Sequence, residues 1–399
     1  MAQTHTKPDS SRHGLAARVS LGTIFTPVPS EFLVIASTAL LLTIFGLVMV
    51  LSATSAEGVE HGQGPYAIFA RQAIFALLGV PLMFIASRMP VAFWKRIAWP
   101  ALGVSIVLQL LVFVPGLGVE NDGNRNWIHI AGQNLQPSEF MKLTLALWAG
   151  AVLARKQNLL RLWKHVMIPI VPGTALVIGT VLAGKDLGTA MILFLVFLGA
   201  LFFSNVRLRL FVLPVLLSVA AVVILAITSP HRMSQITAVL APDDDACYFH
   251  GCWQQLHGIW GMASGGIFGV GLGNSQEKYG WLPAAANDYI FAIVGEELGL
   301  IGCIVVLALF ALFAVGAFHV VRRTDDPFVR IVTGAIVVWV MGQSLINIGV
   351  VLRIVPVLGV PLPFMSQGGT ALLSILFATG VLLSFARSLP AASRDRVTE

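Results

Sequence analysis

Apolar residues recur in ten runs long enough to cross a bilayer, separated by polar connections. The runs fall near residues 32–51, 67–87, 98–116, 137–154, 167–183, 188–204, 210–227, 298–318, 331–352 and 371–386. A bilayer core takes about 20 residues of helix, with some latitude for tilt. The pattern predicts an all-α polytopic integral membrane protein with ten transmembrane helices. Residues 32–386 form its membrane domain, flanked by polar tails at 1–31 and 387–399. The first tail has no small-residue cleavage site after a short apolar core, so it reads as a cytoplasmic tail rather than a signal peptide.

Composition agrees with this class. The chain is 57% hydrophobic and 11% charged, with a mean hydropathy of +0.85; soluble domains carry about 25% charged residues. A net charge of +6 might suggest nucleic acid, but its distribution points to the lipid surface. With an even number of spans both termini share a side, and 18 of the 25 Lys and Arg lie on that side. The positive-inside bias therefore predicts cytoplasmic termini in the inner membrane.

Cytoplasmic connections are short. The outer connections 117–136 and 228–297 are long, and long loops in compact proteins are usually functional. The second holds "GIWGMASGGIFGVGLGNSQEKYGWLP", whose glycines and aromatics suit an interfacial or re-entrant segment shielded by protein. Its "GVGLGNS" lacks the Lys-Ser/Thr ending of a phosphate-binding loop. Cys247 and Cys252 stand five positions apart on the oxidising side, where a structural disulfide is favoured over two free thiols. No Cys or His cluster has the spacing of a structural zinc site.

Three carboxylates, Asp288, Glu296 and Glu297, sit at the mouth of the run beginning at Leu298. The two glutamates are expected in the first turn of that helix, where acids complement its dipole. Asp288 is not explained that way. It lies among apolar neighbours, where partial desolvation raises a carboxylate pKa, the tuning a general base needs. In "GNRNWIHIAGQNLQPSEFMKL", Arg125 precedes a helix opened by Pro137, and Glu139 and Lys142 share one face. The pair reads either as a surface ion pair or as a clamp for a lipid diphosphate. Asp186 in "AGKDLGTA" reads either as a turn or cap residue or as a functional one.

Four stretches carry a resemblance: "NWIHIAGQNLQPSEFMKL", "KDLGTAM", "GGIFGVGLGNSQEKYGWLPAAANDYIFAIVGEELG" and "PVLGVPLPFMSQGGTALL". In this order they resemble the SEDS family of shape, elongation, division and sporulation proteins, closest to its cell-division branch, over residues 32–386. The resemblance implies a peptidoglycan glycosyltransferase that polymerises lipid II into a growing glycan chain. It also implies a monofunctional class B penicillin-binding protein transpeptidase as partner, other divisome proteins, and enrichment at the septum. Asp288 matches the family's catalytic position. Arg125, Glu139 and Lys142 match its cavity, and Ser366 lies in the matched "PFMSQGG". Lys278, Arg71 and Asp186 join the expected substrate contacts. The chain departs from the family pattern at Ala284–Ala286, at Gln367 and at Asn134. A divalent cation, Mg or Mn, would suit a diphosphate leaving group, although the sequence offers no dedicated cage. The rival readings are a lipid II flippase and a non-enzymatic division scaffold.

Overall fold

The computed structural model describes residues 29–60, 66–121, 124–130, 132–159, 163–207 and 252–389, with isolated positions between them. These form ten helices: α1 (Ser30–Glu60), α2 (Ala67–Ala86), α3 (Val91–Leu110), α4 (Pro137–Arg155), α5 (Trp163–Ala183), α6 (Leu187–Phe203), α7 (Trp253–Gly265), α8 (Ile290–Arg323), α9 (Pro327–Val351) and α10 (Gly369–Arg387). Six of them are long and apolar enough to span a membrane, and α5 and α6 contribute shorter apolar stretches. The chain is a multi-pass, all-α membrane protein. Nine of the ten expected runs fall on helices among the described residues; the tenth, 210–227, lies outside them except at isolated positions.

Local chemistry sets several boundaries. Pro137 opens α4, where its missing N–H costs nothing. Asp186 caps α6 by accepting from Thr189 N, and Asp326 caps α9 by accepting from Phe328 N, ahead of Pro327 at N1. α3 starts at Val91, seven residues before the apolar run that announced it. Pro90 is extended and begins the helix, and Trp94 is anchored by donating from Nε1 to Ser384 Oγ. The polar stretch before α4 folds as a three-stranded antiparallel sheet: β1 (Gly118–Asn121), β2 (Asn124–Ile130) and β3 (Gln133–Leu135). The sequence pattern predicts this stretch only as a loop.

Two cross-connections give the bundle its ends. Gln136, just before α4, donates from its side chain to Asp186 at the start of α6 and from its main chain to Thr370 at the start of α10. The starts of α4, α6 and α10 therefore meet at one end, where the sheet also seats on the α5–α6 turn through Arg125 N and Gly184 O. At the opposite end, Arg323 bonds Glu31, Lys95 bonds Asp326, and Arg387 lies over the Phe32 ring. Basic groups thus gather away from the sheet.

α8 is bent rather than continuous. Gly299 has φ 66°, ψ −163°, a region open to glycine and costly for other residues. The bend strips the main chain of helical partners on both sides. The loop after α7 supplies replacements: Val270 N donates to Glu296 O, Gly271 N to Glu297 O, and Gly266 O accepts from Leu300 N. A Cβ on Gly299 would stand 2.4 Å from Gly269 N, so the two segments meet backbone to backbone. This shielded hairpin satisfies the rule that irregular backbone at membrane depth must be covered by protein.

It also corrects the expectation for the glutamates. Glu296 and Glu297 are in the last turn before the bend and are buried, rather than in the first turn of a helix. Glu296 accepts from Ser275 Oγ and Gln276 N; Glu297 Oε1 accepts from Ser52 Oγ, Ser275 N and Lys278 Nζ.

Candidate active site

Asp288 sits in the turn that leads into α8. Ala284, at φ +53°, begins it, and Ala284 O accepts from the N–H groups of Asn287 and Asp288. The carbonyls of residues 286–288 are each captured by a different group from the C-terminal part of the chain. Ala286 O accepts from Gln367 N at 2.8 Å, Asn287 O from Ser366 Oγ, and Asp288 O from Asn347 Nδ2 at 2.8 Å. The main chain of Asp288 is therefore held on three consecutive residues.

Its carboxylate is left free of such ties. Among the described residues no hydrogen-bond donor reaches it, and the side chain stays partly exposed. Gly359 lies beside it, the position of a Cβ there being 3.9 Å from Asp288 Oδ2. Burial, with a lesser contribution from the charge of Asp186, pushes the Asp288 carboxyl up to about 6. The neighbouring Tyr289 phenol is also pushed up, by burial first and by Asp288 second.

Backbone strain concentrates here. Among the described residues five that are not glycine have positive φ: Lys185, Asn205, Ala284, Arg353 and Phe364. All but Asn205 belong to the α5–α6 turn, the Asp288 turn or the 352–368 segment that encloses it. Such conformations cost about 1–3 kcal/mol each and persist where surrounding structure over-determines them, often at active sites.

Asp186 is brought to the site with both oxygens engaged: Oδ1 accepts from Thr189 N at 2.9 Å and Oδ2 from Gln136 Nε2 at 3.0 Å. It is at once the cap of α6 and the charge that acts on Asp288. Arg125 comes in from β2, its N–H donating to Gly184 O at 2.9 Å, while Asn126 Nδ2 donates to the same carbonyl. A side chain at Gly184 would collide with Asn126, so this glycine lets the sheet seat on the α5–α6 turn. Arg125 is half-buried, and its Nε is buried without an acceptor among the described residues.

Glu139 and Lys142 do pair, but not at the surface. Both are buried; Lys142 Nζ contacts both Glu139 oxygens at 2.8 Å and Gln343 Oε1 at 3.1 Å, and lies over the Trp339 ring. Its three donors meet acceptors inside the protein, so the pair is a buried one rather than a surface ion pair. A small cavity lined by Glu139, Gln343, Trp339 and Ser366 joins this pair to the 361–366 segment. Ser366 Oγ also accepts from Leu362 N, and Ser366 O accepts from Gln72 Nε2. Lys278 is buried against Glu297, Ser52 and Gly273 O; its ammonium serves the bend of α8 rather than the Asp288 carboxylate. Arg71 is exposed at the start of α2, next to Gln72.

Among the described residues no group of three or more His, Cys, Asp or Glu could hold a metal ion. Cys252 is disulfide-bonded and Cys303 is free; Cys247, the expected partner, lies outside the described residues. Two residues escaped the sequence reading, Gln343 and Asn347. They sit one turn apart on α9, and Gln343 Nε2 donates to Pro361 O as Asn347 Nδ2 donates to Val360 O. Polar side chains at this spacing inside an apolar helix were the available signal.

A family model described as cell cycle protein, FtsW/RodA/SpoVE, matches residues 32–390. The protein named "Probable peptidoglycan glycosyltransferase FtsW" of Mycobacterium tuberculosis is 37% identical over 92% of this chain and 69% of its own length. A chain from a peptidoglycan synthase complex, solved to explain the coordination of polymerization and crosslinking, superposes with a TM-score of 0.66. It is 25% identical, covering 86% of this chain and 97% of that one. The crystal structure of Thermus thermophilus rod shape determining protein RodA shares the fold, with a TM-score of 0.64 at 23% identity over 88% of this chain and 95% of that one. The chain belongs to the FtsW/RodA/SpoVE family.

Proposed function

We propose that this chain is a peptidoglycan glycosyltransferase that polymerises lipid II at the outer face of the cytoplasmic membrane. The observation that carries the reading is the carboxylate of Asp288, unbonded on a main chain bonded at three successive carbonyls. Asp288 accepts the proton of the acceptor sugar's 4-hydroxyl as that oxygen attacks the anomeric carbon of the lipid-linked donor. A base with its pKa near 6 is ionised at neutral pH yet remains basic enough to take a proton. One displacement turns the α-linked donor into a β-1,4 product.

The bond to the diphosphate breaks as the glycosidic bond forms, so negative charge grows on the leaving group. Arg125 is the cation best suited to meet it, with a buried Nε–H that no described residue takes; Arg71 and Lys185 are exposed nearby candidates. Glu139 and Lys142 support the floor through Gln343 rather than touching substrate. Mg²⁺ commonly binds through few carboxylates plus phosphates, and a divalent cation carried by the diphosphate would supply further charge neutralisation.

The basic groups at the end opposite Asp288 favour cytoplasmic termini and an outward-facing site. The partner expected is a class B penicillin-binding protein transpeptidase, which crosslinks the strands made here, and the place of action is the division septum. The test is the purified chain, with and without such a partner, on labelled lipid II. A glycan ladder lost on Asp288→Asn supports the reading. Lipid II that crosses vesicle membranes without being polymerised would replace it with a flippase, and neither outcome with a scaffold.

A further inference from the structure

We infer that Asn347 is a positioning residue that sets the distance between the Asp288 turn and the loop facing it. The inference rests on the polymerase reading for its activity arm only. Asn347 is buried on α9 at 1% exposure. Its amide nitrogen carries two hydrogens, and they go to two different segments: one to Asp288 O, the other to Val360 O, both at 2.8 Å. Val360 adjoins Gly359, the residue alongside the Asp288 carboxylate. One planar group thus bonds both walls of the space in which that carboxylate stands. The other two anchors of the turn, Gln367 N and Ser366 Oγ, come from farther along the facing segment and leave this span open.

The amide's other end makes the same point. Asn347 Oδ1 is buried with no partner among the described residues. A buried acceptor without a donor is destabilising, and an apolar side chain of the same shape would avoid that. Retaining the amide is therefore explained by what its nitrogen holds. Gln343, one turn earlier, repeats the arrangement toward Pro361 O and ties the facing segment to the Lys142–Glu139 pair. The strained residues Ala284, Arg353 and Phe364 lie in the two segments that Asn347 joins.

The test compares Asn347→Leu and Asn347→Asp with the wild-type chain in complex with its transpeptidase partner. Among the described residues the groups acting on or lying beside the Asp288 carboxylate are Asp186 from the α5–α6 turn, Tyr289 from its own turn and Gly359 from the facing loop, while Asn347 from α9 holds the Asp288 main chain. For Asn347→Leu, turnover falls about tenfold or more while KM for lipid II changes little, because displacement of a reacting group by about 1 Å can cost a factor of 10². The acid limb of the rate profile moves to lower pH as water enters the loosened turn. For Asn347→Asp, the added carboxylate moves the same limb to higher pH. The midpoint is read independently of glycan synthesis as the pH dependence of carbodiimide labelling at Asp288, measured by peptide mass spectrometry. Unchanged turnover, or a limb and labelling midpoint that stay fixed in both variants, would overturn the inference. A wild-type chain that makes no glycan removes the polymerase reading instead, and the labelling midpoints still decide the role of Asn347. Should the leucine variant fail to fold, Asn347→Ser, too short to bridge both carbonyls, takes its place.

Discussion

Glu297 and Asp288 lie nine residues apart near the start of one helix, and the structure treats them in opposite ways. Glu297 has Ser52, Ser275 and Lys278 around a single oxygen. Asp288 is bonded through its main chain and not through its carboxylate. A carboxylate surrounded by donors is committed to architecture, because removing it strands each of them. One that the fold positions and leaves bare keeps its lone pairs for a substrate. Chemistry is to be sought at the second kind, and mutation separates the two.

The largest effect expected is on turnover. Asp288→Asn preserves shape and removes the base, which should cut glycan synthesis about 10²–10⁴-fold. The fold should gain. The folded-state pKa of Asp288 lies above its ordinary value, so its ionisation weakens the folded state as pH rises from about 3.8 through about 6. Above pH 6 the asparagine variant should melt no lower than the wild type, and somewhat higher. A marked drop in melting temperature would put Asp288 in the same class as Glu297.

Lys278→Met reverses the pattern. It leaves Glu297 charged in a buried setting, a change worth about 3–5 kcal/mol of stability, visible as a lower denaturation midpoint. Activity is lost only as the fold is lost. Adding Glu297→Gln should recover part of the stability, since the stranded charge is gone. If Lys278→Met instead lowered turnover at full stability, its ammonium would belong to the catalytic surface after all.

These contrasts mark what the sequence could and could not reveal. Helix positions were legible because a bilayer demands long apolar runs, and Asp288 because a carboxylate among Tyr289, Ile290 and Phe291 has no cheap explanation. The role of Glu296 and Glu297 was hidden. It depends on Gly299 bending α8 and on Gly266–Gly271 returning to cover the bend, a pairing across some thirty positions that no local pattern reports. The burial of Lys142 was hidden for the same reason: Gln343 and Trp339, which enclose it, are about 200 residues away. Asn347 was visible as a polar residue in an apolar helix, yet the two carbonyls it holds come from elsewhere in the chain.

A subtler change tests the electrostatics between the two acids of the site. Asp186→Asn should keep the cap on α6, because asparagine serves at that position as well as aspartate. With its one oxygen on the cap, its amide nitrogen faces Gln136, whose side-chain amide must turn over to offer its oxygen. What it removes is the like charge that helps raise Asp288. The Asp288 pKa then falls from about 6 toward its ordinary value, and the acid limb of the rate profile moves down with it. Burial is the larger cause and remains, so the limb should stop short of 3.8. A limb that does not move would mean that Asp186 exerts no charge on the base.

The smallest effect belongs to the opposite end of the bundle. Lys95 and Asp326 form an ion pair at 2.6 Å with side chains 43% and 33% exposed. Such pairs contribute about 0–1 kcal/mol. Lys95→Met should lower stability by no more than that, and the loss should vanish in high salt. The reason is again what the carboxylate does apart from its cation. Asp326 Oδ1 accepts from Phe328 N as the cap of α9, and the side chain is a third exposed, so losing the lysine strands no buried charge. The distance is shorter than the 3.3 Å between Lys278 and Glu297, yet the consequence of breaking it should be several-fold smaller. Burial of what is left behind, rather than the length of the bond removed, decides the cost.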